Sequence, residues 1–247
     1  MQNDQAIQSD LLEVLKQHKL VAILRGVANE QADRAAQALA DGGVHLLEAT
    51  MNTPGALGMV RRWREQHAGR LRVGAGTVLN VAMAKEAIAA GAEFLISPNV
   101  DEAVIEYAVG QGVPIWPGAM TPTEIVRAHA AGAGAIKLFP SGPLGVSYFK
   151  DVRGPLGHVP LIAVGGIGLD NAAEFLRAGA VAVGVGSNLV DPKLIAAGRF
   201  DELTALAARY VAAVGAAEGA AEGVAENSSG EMPSADEAKG APKGAPA

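Results

Sequence analysis

Short apolar runs alternate with longer stretches of helical periodicity along most of the chain. The runs lie at 21–25, 45–50, 72–78, 94–97, 114–116, 135–139, 161–164 and 181–185; Gly26 stops the first, and Gly132, Gly134 and Pro140 bracket the sixth, which is strand punctuation. Each is followed by a segment whose apolar residues recur at three- and four-residue spacing: 30–40, 55–65, 81–90, 101–109, 122–131, a looser stretch at 148–152, 171–178 and 201–214. An amphipathic helix over 9–19, with Ser9 as its N-cap, precedes the first strand. Strict strand–helix alternation means parallel strands joined by crossover helices. Eight such units predict a (β/α)8 TIM barrel in the α/β class, with a doubly wound open sheet as the other topology. No Gly-x-Gly-x-x-Gly follows the first strand, which disfavours the open sheet.

The pattern stops near Gly215. From there to Ala247 the chain is mostly Ala, Gly, Glu, Pro and Ser. Too little apolar surface is available to offset the entropy of ordering it. The expected organisation is therefore a barrel domain over 1–214 and a disordered tail over 215–247. Glycines oppose any long continuation of the last helix, although its Ala and Glu favour one.

Composition narrows the chemistry. Of 247 residues, 49% are hydrophobic but only 4% aromatic, so the core must be aliphatic. A net charge of −6 argues against nucleic acid as the main partner. Cysteine is absent, which removes disulfides, thiolate catalysis and zinc–thiolate sites. The five histidines are scattered, none at metal-ligand spacing with acidic residues, so no metal or cofactor is expected. The first ten residues do not resemble a signal peptide, and no apolar run approaches the roughly 20 residues that span a bilayer. A cytoplasmic protein is the expectation.

Within these apolar runs two charges stand out. Lys137 is the one lysine of eight that lies inside such a run, between Ile136 and Leu138. Its stem could pack while its ammonium reaches solvent or a carboxylate. Alternatively, desolvation could leave it a neutral amine able to form a Schiff base. Glu48 lies inside the second strand, and serves either as a counter-ion to Lys137 or as a general acid/base. Strand alternation puts Leu46, Glu48 and Thr50 on one face, Ile23 with Arg25, and Ala75 with Thr77. If these faces turn inward, Arg25, Glu48, Thr77 and Lys137 converge. Taken singly, Arg25 also reads as a solvated strand end and Thr77 as an ordinary β-branched strand residue. Gly165-Gly166 ends the seventh strand and Gly186-Ser187 the eighth, where a barrel receives a phosphate on backbone N–H groups. Turn glycines without a ligand are the other reading.

Six motifs in order, VAILRG (21–26), LEAT (47–50), GAGTVL (74–79), SPN (97–99), KLFP (137–140) and AVGGI (163–167), resemble the bacterial 2-keto-3-deoxy-6-phosphogluconate/6-phosphogalactonate aldolase family. The resemblance covers about residues 20–190. It implies a class I, metal-independent aldolase on a (β/α)8 barrel, usually a homotrimer, that acts in sugar-acid degradation. Such enzymes cleave a 2-keto-3-deoxy-6-phospho sugar acid to pyruvate and glyceraldehyde 3-phosphate. Carried over, Lys137 matches the Schiff-base lysine and Glu48 the general acid/base. Thr77 matches the threonine at the pyruvate carboxylate, and Gly165, Gly166, Gly186 and Ser187 match the phosphate site. Asn52 stands where the phosphogluconate branch commonly carries arginine. Arg25 with Asn52 looks more like the phosphogalactonate branch, with Arg25 supplying the carboxylate contact. The rival functions are another phosphate-binding barrel enzyme, such as an isomerase or a thiamine-phosphate-synthase-like transferase, and a non-catalytic sugar-phosphate binding protein.

Overall fold

The structure is a computed structural model and describes residues 2–27 and 29–225. A leading helix, α1 (Gln2–His18), is followed by β1 (Leu20–Leu24), α2 (Asn29–Asp41), β2 (Leu46–Thr50), α3 (Ala56–Gln66), β3 (Arg72–Gly76), α4 (Val81–Ala89), β4 (Leu95–Ile96) and α5 (Glu102–Gly110). Then come β5 (Ile115–Trp116), β6 (Gly118–Ala119), α6 (Pro122–Ala130), β7 (Ile136–Leu138), α7 (Ser141–Arg153), β8 (Leu161–Val164), α8 (Ala172–Arg177), β9 (Ala182–Val185), α9 (Pro192–Ala196) and α10 (Phe200–Ala225).

All strand pairs are parallel, in the order β5-β4-β3-β2-β1-β9-β8-β7-β6. The two ends of this order are halves of one chain segment. β5 pairs with β4, β6 pairs with β7, and only Pro117 stands between them. Proline has no N–H to give a ladder, which interrupts the strand. Its carbonyl still accepts from Lys137 N at 2.9 Å. The ring therefore closes as the eight-unit barrel that the alternation predicts, with its fifth strand broken in two. At Gly118 a Cβ would lie 2.4 Å from the Pro98 carbonyl carbon, so only glycine fits where the β4 exit crosses the broken strand.

Strand alternation sorts the apolar residues into two layers. Val21, Leu46, Phe94, Ile96, Trp116, Ala135, Ile162, Val164 and Ala182 fill the barrel interior. Phe94 stacks on Trp116 with ring centroids 4.7 Å apart. Leu11 and Leu15 of α1 belong to this same cluster, so the leading helix closes the N-terminal end of the barrel. The opposite strand faces, among them Ala22, Leu47, Val73, Ala75, Ile136, Leu138 and Val183, pack under the helices with Trp63, Phe149, Phe175 and Tyr210. Most of the strands have both faces buried, which is why they read as unbroken apolar runs.

Several boundaries differ from expectation. α1 begins at Gln2 rather than at Ser9. α7 starts at Ser141 and holds one non-helical residue, Gly145 (φ 79°, ψ 167°), which breaks the periodicity there. α10 runs to Ala225, ten residues beyond the expected start of the tail, and buries Ala217. Alanine and glutamate propensity outweighs the glycines over that stretch. The rest of the expected tail, 226–247, lies outside the described residues. Among the described residues no helix is long and apolar enough to cross a membrane.

His67 follows α3 and is only 3% exposed, with neither ring nitrogen hydrogen-bonded among the described residues. Nothing in the sequence pattern marks it.

Candidate active site

Lys137 points into the barrel from the middle of β7, flanked by the outward-facing Ile136 and Leu138. It is 6% exposed, and its Nζ sits 4.8 Å from the centroid of the Phe139 ring. Below it lies an apolar chamber lined by Val21, Ile23, Ile96, Trp116, Ile162 and Val164. Above it opens a cleft of about 460 Å³ whose wall includes Arg25, Phe139, Gly165, Gly166, Gly186 and Ser187. The amine thus stands where a dry interior meets an open mouth.

Glu48 enters the same interior from β2, with β1, β9 and β8 between it and the lysine's strand β7. It is 1% exposed, and its Oε2 has no hydrogen-bond partner among the described residues. Room for its carboxylate comes from β3. The inward positions of that strand are Gly74 and Gly76, and Cβ atoms built there would collide with the Phe94 ring at 2.3 Å and with Glu48 Cδ at 2.6 Å. A strand face without side chains forms a groove in which Glu48 lies.

Burial pushes the two groups toward neutrality from opposite directions. Desolvation raises the Glu48 carboxyl above its ordinary range, opposed by the charges of Lys137 and Arg25. Desolvation lowers the Lys137 ammonium, opposed by Glu48 and reinforced by Arg25. An acid held up and an amine held down are a pair between which a proton moves at small cost.

Arg25 follows the last residue of β1, is exposed, and lines the cleft. It bears electrostatically on both buried groups. Thr77 departs from expectation. Ala75 packs in the outer layer, so the shared face of Ala75 and Thr77 is not the inward one. Thr77 comes after β3 ends and has φ 60°, a left-handed backbone that breaks the alternation. It is half-buried and lies outside the cleft wall.

The glycine turn after β8 is held from several sides. Gly165 and Gly166 have φ 88° and 73°, conformations that L side chains rarely adopt. The Gly165 carbonyl accepts from Gly142 N at 2.7 Å, the Gly166 carbonyl from Asn171 Nδ2 at 3.0 Å, and the Ile167 carbonyl from Asn188 Nδ2 at 2.8 Å. Three consecutive carbonyls are engaged by protein donors. The turn therefore presents bare backbone to the cleft, as an anion site requires. After β9, the Gly186 carbonyl accepts from Leu189 N and Val190 N, while Ser187 stays exposed on the rim. Of the residues expected to converge, Arg25, Lys137, Gly165, Gly166, Gly186 and Ser187 share one cleft, and Glu48 lies in the interior beneath it. Gly76, Asn171 and Asn188 went unmarked in the sequence. Asn188 follows Ser187 directly, and a polar run after a strand-end glycine is the signal that could have found it.

Comparison with known proteins points to one family. The family model for KDPG and KHG aldolases matches residues 11–206. A 2-dehydro-3-deoxy-phosphogluconate aldolase of Treponema pallidum is 36% identical over 83% of this chain and 98% of its own length. A probable 2-dehydro-3-deoxy-6-phosphogalactonate aldolase of Rhizobium meliloti is 35% identical over 79% of this chain and 93% of its own. A crystal structure of the KDPG aldolase of Legionella pneumophila, with pyruvate captured as a covalent carbinolamine intermediate, superposes with a TM-score of 0.75 at 27% identity, covering 80% of this chain and 96% of that one.

Proposed function

The chain belongs to the KDPG and KHG aldolase family, and from that premise we propose which of its residues perform the reaction. The enzyme is a carbon–carbon lyase that cleaves a 2-dehydro-3-deoxy-6-phospho sugar acid to pyruvate and glyceraldehyde 3-phosphate. The observation that carries the residue assignment is the pair of buried groups: an amine at the floor of the cleft, and a carboxylate with an unpartnered oxygen in the same interior.

In this reading neutral Lys137 attacks the C2 ketone and forms a carbinolamine, which loses water to give the protonated imine. Glu48 supplies and removes the protons of these steps. Loss of the C4 hydroxyl proton then releases glyceraldehyde 3-phosphate. The C3–C4 bonding electrons move into the imine and leave an enamine. Glu48 returns a proton to C3, and hydrolysis frees pyruvate and Lys137. Gly165, Gly166, Gly186 and Ser187 hold the phosphate, Arg25 takes the substrate carboxylate, and Thr77, placed off the cleft wall but next to the Gly76 groove that receives Glu48, supports the pyruvate end. Arg25 together with Asn52 favours the phosphogalactonate epimer over the phosphogluconate one, a preference read from the ratio of kcat/KM values. The family resemblance supports a cytoplasmic homotrimer, and the exposed apolar side chains of Leu79, Met120 and Val126 are available for burial between copies.

The test is mass spectrometry of the intact protein after pyruvate and borohydride, with peptide mapping. A reduced pyruvyl adduct on Lys137 is the expected result. An adduct on another lysine, or none, overturns the assignment.

A further inference from the structure

Arg25 and Gly26 form a two-residue arch between two buried anchors, Leu24 at the end of β1 and Val27. Packing does not wedge this arch. Gly26 has φ 70°, and a Cβ built on it would meet nothing within 4 Å. What holds it is a hydrogen bond: the Gly26 amide donates to Thr53 Oγ1 at 2.9 Å. Thr53 is 3% exposed and itself rigidly placed. Its own amide donates to the Thr50 carbonyl at 2.8 Å, its carbonyl accepts from Ala56 N at 3.1 Å, and its hydroxyl meets the Thr50 hydroxyl at 2.9 Å. Thr50 is the last residue of β2, fully buried, and lies two residues beyond Glu48 on the same strand face.

We propose that Thr53 is a positioning residue: its hydroxyl, braced by Thr50, fixes the Gly26 amide and so sets where the Arg25 guanidinium stands relative to Glu48 and the mouth of the cleft. The turn that follows the carboxylate's strand thereby carries the latch for the arginine that follows its neighbour. A long side chain on an untethered glycine arch would sample many positions, and each substrate bound would have to select one of them. The inference rests on the reading of Arg25 as a contact to the substrate carboxylate. Thr53 touches neither substrate nor the reacting atoms, so its effect is on binding through Arg25.

The experiment is a cycle of Arg25→Ala, Thr53→Val and the double variant, with Thr53→Ser as the conservative control. Each is assayed for cleavage of the phosphorylated keto-deoxy acid. Valine keeps the shape of threonine and removes the acceptor. Expected results are a KM raised about tenfold in Thr53→Val with kcat within about twofold, and values near wild type for Thr53→Ser. In the Arg25→Ala background, Thr53→Val should add no further increase. If Arg25→Ala raises KM but Thr53→Val does not, or the two effects simply add, the latch is refuted and the reading of Arg25 stands. If Arg25→Ala leaves KM unchanged, the reading of Arg25 fails and the latch falls with it. If Thr53→Val misfolds, Thr53→Ser and Thr53→Ala decide: the latch requires full rescue by serine and none by alanine.

Discussion

Glu48 occupies the space in which a side chain at position 76 would stand. A Cβ on Gly76 would lie 2.6 Å from both Cδ and Oε1 of Glu48, and 2.9 Å from its Oε2. The colliding atoms are the free end of a side chain, so the clash displaces the carboxylate rather than the backbone. Gly76 lies in a strand outside the left-handed region, where alanine is tolerated. Gly76→Ala should therefore fold, and should lower kcat by about 10- to 100-fold by moving the proton-transfer group. Circular dichroism and a pH–rate profile check it. An unchanged kcat would remove Glu48 from the proton path.

Adduct formation should depend on pH with a definite sign. Only the neutral amine attacks, so borohydride trapping with pyruvate should rise with pH through the Lys137 pKa. Burial holds that value below the usual lysine value of about 10.4. The charge of Glu48 favours the ammonium. Glu48→Gln should consequently shift the inflection to lower pH while slowing the later proton transfers. A shift to higher pH would contradict the electrostatic arrangement.

Lys137→Met should abolish turnover and adduct formation while raising thermal stability. A buried amine costs desolvation energy that a thioether of similar length does not. With the lysine gone, Glu48 takes up a proton more readily, so no bare charge is stranded. A Tm increase of about 3 °C in calorimetry is the expected size.

Gly165→Ala forces a left-handed conformation on alanine and sets its Cβ 3.0 Å from the Phe139 ring. It should raise KM for the phosphorylated substrate at least about fivefold. Trapping of unphosphorylated pyruvate on Lys137 should change far less. Equal loss of both would mean that the turn supports the lysine rather than the phosphate.

His67 should govern an acid-side loss of stability. Burial is the largest cause holding its pKa below the usual imidazole value of about 6.5, and the Arg70 charge adds to it, while Asp41 and Asp33 oppose. Between the folded and unfolded values, the unfolded chain binds more protons. Stability then falls as pH drops below about 6.5. His67→Gln should flatten the pH dependence of urea-derived stability just below about pH 6.5. A slope identical to wild type would rule out His67 as its source.

The barrel was legible because strands buried on both faces spell apolar runs and the helices between them are amphipathic. Lys137 and Glu48 were legible because each is a charge inside such a run. The inward face read for Ala75 and Thr77 failed for a physical reason: Ala75 packs outward, and alternation ends where Thr77 turns left-handed just past the strand. Gly74 and Gly76 hid the correct parity, since glycine announces neither face. The break at Pro117 was invisible as a strand continuation because two residues on either side carry too little pattern. The burial of His67 and the bond from the Gly26 amide to Thr53 arise only when separate segments pack together, and no local spacing encodes them.

Leu11 and Leu15 pack into the interior cluster at the N-terminal end of the barrel, so among the described residues the doorway to Lys137 is the cleft at the opposite end. On the proposed mechanism, water expelled when the carbinolamine collapses, and water needed later to hydrolyse the imine, would share that doorway with the sugar phosphate. A phosphate seated on the Gly165–Gly166 turn would stand in the passage like a cork, so the order in which the two products depart would also schedule when solvent is admitted to the lysine.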